Sequence, residues 1–330
     1  MTTPKASAAG AGRLRRERCV GPAQRVFRHV ALLYGDADAF LGRTLGFVRA
    51  GLEAGEPTLV VLRGDKLAAL RAELGDPEGL FTADMAVTGA NPARIIPAWR
   101  DFLDRYGGGD RAVRGVGEPV WAGRSPAEVA ECQIHEALLN RAFGCDRGFE
   151  LMCPYDARRL DPSLLEAARH SHAFLDTGEG PSPCQEFDRD SGSAAVFEAP
   201  LPEAVGPVEE CLFGLFELAA LRRYVVQTTA AAGYGPRSEE IALAVHEAAA
   251  NSVRHGGGRG LLRSWTEGQS LLFEVSNRGR VVDPLVGRVA PVTDEPTGRG
   301  VWLMNQVCDL VQVRNTPRGV VVRLHVTPPV

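Results

Sequence analysis

Apolar positions follow two different rhythms along the chain. Over residues 26–176, short β-branched runs alternate with stretches whose apolar residues recur at helical spacing. The pattern predicts strands over 30–34, 58–62, 113–117 and 149–153, and helices over 40–54, 65–74, 95–103, 125–143 and 161–175. Ser125-Pro126-Ala127-Glu128 opens one of these helices with a capping box and a proline at its first position. His29 stands just ahead of the first strand. Strand–helix alternation of this kind predicts an α/β fold, a doubly wound and mainly parallel sheet with helices on both faces.

Residues 176–199 break the rhythm with polar, turn-rich sequence. Beyond them the order of elements changes. The spacing predicts a long helix over 209–231 and a second over 238–255, with Ser238 as its N-cap and Gly256-Gly257-Gly258 as its stop. A hairpin over 261–266 and 270–276 follows, then a long Gly- and Pro-containing loop, a helix over 300–308, and a closing hairpin over 311–315 and 320–326. That order predicts an antiparallel or mixed sheet with helices on one face. Four segments result: a disordered leader over 1–25, a first domain over 26–176, a linker over 177–204 and a second domain over 205–330.

Composition narrows the partners more than the fold. With 45% hydrophobic and 24% charged residues, the chain reads as an ordinary globular protein. A net charge of -4 gives no electrostatic reason to expect nucleic acid. Cys19, Cys132, Cys145, Cys153, Cys184, Cys211 and Cys308 are scattered with no CxxC pair, which argues for a reducing compartment and against both a disulfide framework and a structural zinc site. Arg15-Arg16 is followed by Glu17, Arg18, Cys19 and Val20 rather than an apolar run, so no export signal or membrane span is expected and the protein reads as cytoplasmic.

Three features of the second domain carry chemistry. Glu247 and Asn251 lie four residues apart on one helix, with His255 one turn further, so carboxylate, carboxamide and imidazole share a face. Asn277-Arg278-Gly279 directly follows a strand, and Gly298-Arg299-Gly300 directly precedes a helix. An asparagine oxygen suits a Mg²⁺ that also holds phosphates, and a glutamate one turn away suits activation of a hydroxyl or water. Glycines leading into a helix let backbone N–H groups approach phosphate oxygens at the positive end of its dipole. Taken singly, a Glu/Asn pair is more often a solvated helix face and Gly-x-Gly more often a turn; their order and spacing together raise the signal.

These stretches resemble the N box and the two glycine boxes of the GHKL superfamily, with its Bergerat-type α/β sandwich. The "NSVRHGG" stretch from Asn251 to Gly257 is most similar to the anti-sigma-factor serine/threonine kinases. The resemblance implies a bacterial signalling regulator that binds ATP and Mg²⁺ through Asn251, His255, Asn277, Gly279, Gly298, Arg299 and Gly300. It also implies Glu247 as the catalytic residue, and a sigma factor or a STAS-type antagonist protein as partner; a homodimer is compatible with it. One position departs from the pattern. The first glycine box of that superfamily begins with an aspartate that accepts the adenine amino group, and here Asn277 stands there. A carboxamide lacks the charge, which weakens such a contact by roughly 1.5–3 kcal/mol. A non-catalytic partner-binding module with a degenerate nucleotide site is therefore the alternative.

The first domain has no GxxxxGK[ST] after its first strand, where Tyr34-Gly35-Asp36-Ala37-Asp38 stands instead. It resembles the MEDS sensory domain of methanogen and methylotroph regulators through residues 29–34, 117–121, 131–136 and 153–156. That resemblance implies a RecA-like sheet without a P-loop that senses a small molecule or a protein. Tyr34, Glu118, Trp121, Glu131, His135, Cys153 and Tyr155 are the candidate sensing residues, most of them near strand ends where open α/β sheets bind ligands. Three readings stay open: a structural polar network, a pocket lined by Tyr34, Glu118, Trp121, His135 and Tyr155, or a metal site built from Glu131, Cys132, His135 and Cys153.

Overall fold

The computed structural model describes residues 27–107, 111–144, 148–188, 197–291 and 298–328. The leader expected over 1–25 lies outside the described residues. The N-terminal half runs β1 (Arg28–Tyr34), α1 (Ala37–Glu53), β2 (Thr58–Leu62), α2 (Gly64–Leu74), β3 (Leu80–Asp84) and the short α3 (Met85–Thr88). It continues with α4 (Ile95–Tyr106), β4 (Val113–Gly117), α5 (Pro126–Ala142), β5 (Phe149–Asp156), α6 (Pro162–Ser171), β6 (Phe174–Asp176) and β7 (Ser182–Pro183). The strands form one sheet in the order β3-β2-β4-β5-β1-β6-β7, parallel except for the β6–β7 pair. One face packs Leu32, Tyr34, Val60 and Met152 against Phe40, Val48 and Leu70 of α1 and α2. The other packs Ala31, Leu151, Cys153 and Tyr155 against Trp99 of α4 and Ile134 and Leu138 of α5. Alternation along the strands supplies both faces, so the sheet is doubly wound as the sequence predicts.

Three boundaries differ from expectation. His29 lies inside β1, paired with Leu151 of β5 and fully buried; the polar Arg28-His29 pair hides the start of a strand whose ladder, not its hydropathy, defines it. The helix expected to reach Leu175 stops at Ser171, because His172 is extended and leads into β6, which pairs with β1. The strand β3 is not signalled by the alternation at all, since its five residues are only partly buried. The capping box is present as expected: Ser125 Oγ accepts from Glu128 N–H at 3.3 Å, and Glu128 Oε2 accepts from Ser125 N–H at 2.8 Å.

The C-terminal half runs β8 (Glu209–Phe213), α7 (Leu218–Ala231), α8 (Arg237–His255), β9 (Gly260–Glu267), β10 (Ser270–Asn277), α9 (Arg299–Val307), β11 (Leu310–Thr316) and β12 (Gly319–Val326). Its sheet is antiparallel in the order β11-β12-β10-β9-β8. The single long helix expected over 209–231 is instead the edge strand β8 followed by α7, because residues 209–213 find backbone partners in β9. Ser238 is not the N-cap; α8 starts at Arg237 after Pro236, and Ser238 is buried in its first turn. Val245 and Ala249 of α8 and Met304 of α9 pack on Phe273, Val275, Val322 and Leu324 from one face of the sheet. The opposite face carries charge: Arg323 donates to Glu274 Oε2 through Nε at 2.8 Å and Nη2 at 2.6 Å. No helix among the described residues is long and apolar enough to cross a membrane.

Candidate functional site

Glu247, Asn251 and His255 fall one turn apart on α8, so they share a face. Asn277 and Gly279 at the end of β10, and Gly298, Arg299 and Gly300 at the start of α9, meet that face around one cavity of about 760 Å³. All eight residues singled out in the C-terminal sequence thus line a single space. Met304, Val313 and Val322 give it an apolar side. These three were not anticipated, although the alternation of β11 and β12 carries the signal for the two valines.

Gly300 explains how the second glycine turn reaches the helix. A Cβ at this position would lie 2.8 Å from Glu247 Oε2 and 3.1 Å from Asn251 Nδ2, so a larger residue would push both side-chain ends aside where α9 begins. Gly298 caps α9 at φ +85°, a left-handed conformation that glycine adopts without strain, and no side chain caps the helix. The first N–H groups of α9 therefore stand at the cavity wall with the positive end of the dipole behind them, an arrangement suited to phosphate.

Asn277 is committed to the protein itself. Its Oδ1 accepts from Gly279 N–H at 2.7 Å, and its Nδ2 donates to Ser252 Oγ at 2.9 Å. Ser252 in turn donates to the Ala248 carbonyl at 3.0 Å. An aspartate would present two acceptor oxygens here; the carboxamide presents one, already engaged.

The N-terminal candidates do not converge on one pocket. Tyr34 donates to Glu118 Oε1 at 3.1 Å, with the Lys66 ammonium against both, beside a cavity of about 600 Å³. Burial raises the Glu118 carboxyl above its ordinary value, and Lys66 pulls against that rise. Trp121 lies under the Arg124 guanidinium, 3.7 Å from its ring centre. His135 is fully buried, and burial lowers its pKa to about 3. Tyr155 lines a separate cavity of about 160 Å³ together with Glu136.

Nor do Glu131, Cys132, His135 and Cys153 form the metal set considered from the sequence. Glu131 lies 2.8 Å from Arg288 and 2.7 Å from Arg314, and Cys132 Sγ donates to the Pro119 carbonyl at 3.2 Å. Helical spacing placed Glu131 and His135 on a common face but could not say what that face meets. Cys153 instead approaches His29 Nε2 at 3.4 Å, and the same nitrogen lies 3.0 Å from Glu136.

Residues 28–173 match the family model of the MEDS (MEthanogen/methylotroph, DcmR Sensory) domain, and residues 215–326 match that of the histidine kinase-like ATPase domain. The chain joins a MEDS domain to a histidine kinase-like ATPase domain. No curated protein matches the chain.

The MEDS domain grips its neighbour at two points. Glu131 of α5 sits between Arg288, from the loop linking the two glycine turns, and Arg314 of β11, with all three side chains buried. Leu285 of the same loop packs against the MEDS core. At the second point, Arg94 donates through Nε to the Asn305 carbonyl at 2.7 Å and through Nη2 to those of Gln306 and Cys308 at 3.0 and 3.1 Å. Asn91 Nδ2 donates to Asn305 Oδ1 at 3.2 Å, and Asn305 Nδ2 donates to the Gly287 carbonyl at 2.9 Å. The last carbonyls of a helix have no partner within it, and a cation there complements its dipole. The MEDS domain thus supplies the C-terminal cap of α9, the helix whose N-terminus lies at the cavity.

Proposed function

We propose that the protein is a bacterial cytoplasmic signalling regulator in which a small molecule or protein sensed by the MEDS domain controls an ATP-dependent kinase of the anti-sigma-factor type. The observation that carries this reading is the burial of Arg288, from the loop beside the nucleotide cavity, against Glu131 of the sensory domain. A change in the MEDS domain that moves α5 moves an anchor of that loop.

The residues fit ATP and Mg²⁺. The cavity has room for a nucleotide, its apolar side suits adenine, and the start of α9 suits phosphates. Asn251 would hold Mg²⁺ through its side-chain oxygen, and Arg299 and the backbone of Gly298 and Gly300 would hold phosphates. His255 and Gly279 would border the nucleotide. ATP supplies the transferable phosphoryl group when bound. Glu247 would take the proton of a Ser/Thr hydroxyl on a STAS-type antagonist, while a sigma factor binds the same domain. The full chain incubated with labelled ATP, Mg²⁺ and a STAS-type antagonist from the same organism is expected to transfer label, and Glu247→Gln to abolish transfer while leaving ATP binding intact. Absence of transfer by the native chain would remove the kinase reading.

A second reading follows from Asn277. Its engaged carboxamide favours a module that sequesters its partner without nucleotide. Calorimetric titration separates the two, since a dissociation constant weaker than about 1 mM corresponds to only ~4 kcal/mol of binding.

A further inference from the structure

The MEDS core holds four metal-ligating side chains that the nucleotide site does not use. His29 of β1, Glu136 of α5, Cys153 of β5 and His172 after α6 each offer one donor atom, and these atoms all lie within 4.8 Å of one another. All four residues are buried. They come from four separate elements, drawn together because β1 and β5 are neighbours and α5 and α6 cover the same face.

Proton accounting shows what the cluster lacks. His172 Nδ1 lies 2.8 Å from the Ala168 carbonyl, which can only accept, so Nδ1 carries the proton. In the neutral ring Nε2 is then a bare lone pair. It faces Glu136 Oε2 at 3.4 Å, and that carboxylate also faces His29 Nε2 at 3.0 Å. Both Glu136 oxygens and His172 Nε2 are buried, and none of them makes a well-aligned hydrogen bond. A lone pair against a carboxylate in a dry interior is repulsive unless a positive charge stands between them.

We infer that His29, Glu136, Cys153 and His172 form a four-coordinate site for a zinc-class divalent ion. Zinc bonds to nitrogen, oxygen and sulfur of about 2.0–2.3 Å imply ligand separations of roughly 3.3–3.8 Å in a tetrahedron, so the cluster needs only a small contraction. Two imidazoles and a thiolate select a borderline-soft ion over Mg²⁺ or Ca²⁺, which take oxygen ligands. The Nδ1–H of His172 on a backbone carbonyl fixes ring and tautomer, the usual outer support of a ligating histidine. Binding releases the Cys153 proton to solvent and forms four metal–ligand bonds, with no redox change.

Metal content of the full chain, purified from zinc-supplemented cells, tests this. About one zinc per chain is expected. Replacement by Co²⁺ should give the intense visible bands of a four-coordinate ion together with a near-ultraviolet thiolate-to-cobalt band. Cys153→Ser should lose the thiolate band, and His172→Gln should lose stoichiometric metal. A native chain that is folded by circular dichroism yet takes up neither ion overturns the site. So does metal that stays bound with its thiolate band unchanged in Cys153→Ser, which is close to isosteric and safeguards the test if His172→Gln does not fold.

Discussion

Glu131 and Arg288 meet at 2.8 Å across the boundary between the two domains, both buried, with Arg314 completing the cluster 2.7 Å from the other carboxylate oxygen. Removing one partner of a buried ion pair typically costs about 3–5 kcal/mol, because the remaining charge is left uncompensated. Glu131→Gln would strand two guanidinium groups. A loss of that order in urea-unfolding free energy is expected, with faster amide hydrogen exchange around Arg288. Unchanged exchange there would show that the carboxylate does not anchor the loop.

Arg94→Ala uncovers the carbonyls of Asn305, Gln306 and Cys308 at the end of α9. Hydrogen bonds from a charged donor contribute about 1.5–3 kcal/mol. Exchange of the amides in the last turn of α9 should accelerate accordingly, while α7, which Arg94 does not hydrogen-bond, keeps its protection.

Asn277→Asp places a charged acceptor at the end of the cavity proposed to take adenine. Ser252 can still serve the new side chain, by turning its hydroxyl from the Ala248 carbonyl to donate to it. ATP affinity measured by calorimetry should rise by about one to two decades. No gain would mean that something other than this residue limits nucleotide binding.

Acid should weaken the ATPase domain through His325. Burial first, and then the nearby Arg323 charge, lower its pKa from 6.5 to about 4. Between those values the unfolded chain binds more protons than the folded one, so stability rises with pH across the window and is lost as pH falls from 6.5 towards 4. His325→Gln should flatten that part of the melting temperature–pH profile.

The sequence makes the cavity between α8 and α9 legible because its lining sits in three short local patterns, each tied to one helix or strand end. Glu247 and Asn251 need only the 3.6-residue period to share a face, and glycines announce the turns. The edge strand β8 is not legible, since residues 209–213 become a strand only by pairing with β9. His29 is misread for the same reason. The four-residue cluster in the MEDS core is the extreme case, because nothing in local spacing places His29, Glu136, Cys153 and His172 together; the order of strands in the sheet does. Glu131 shows the complementary limit, as its helical face is predictable but its arginine partners come from more than 150 positions away.

Helix α9 touches the two domains at opposite ends, its first turn at the nucleotide cavity and its last carbonyls on Arg94. Nine helical residues form a rod of roughly 13 Å, too short and stiff to absorb a displacement along its length. Linkage then runs in both directions. If ligand in the MEDS domain changes nucleotide affinity by some factor, nucleotide must change the affinity of the MEDS domain for its ligand by that same factor. On the proposed function, the sensor would be calibrated by the cell's ATP level as much as the ATPase domain is governed by the signal.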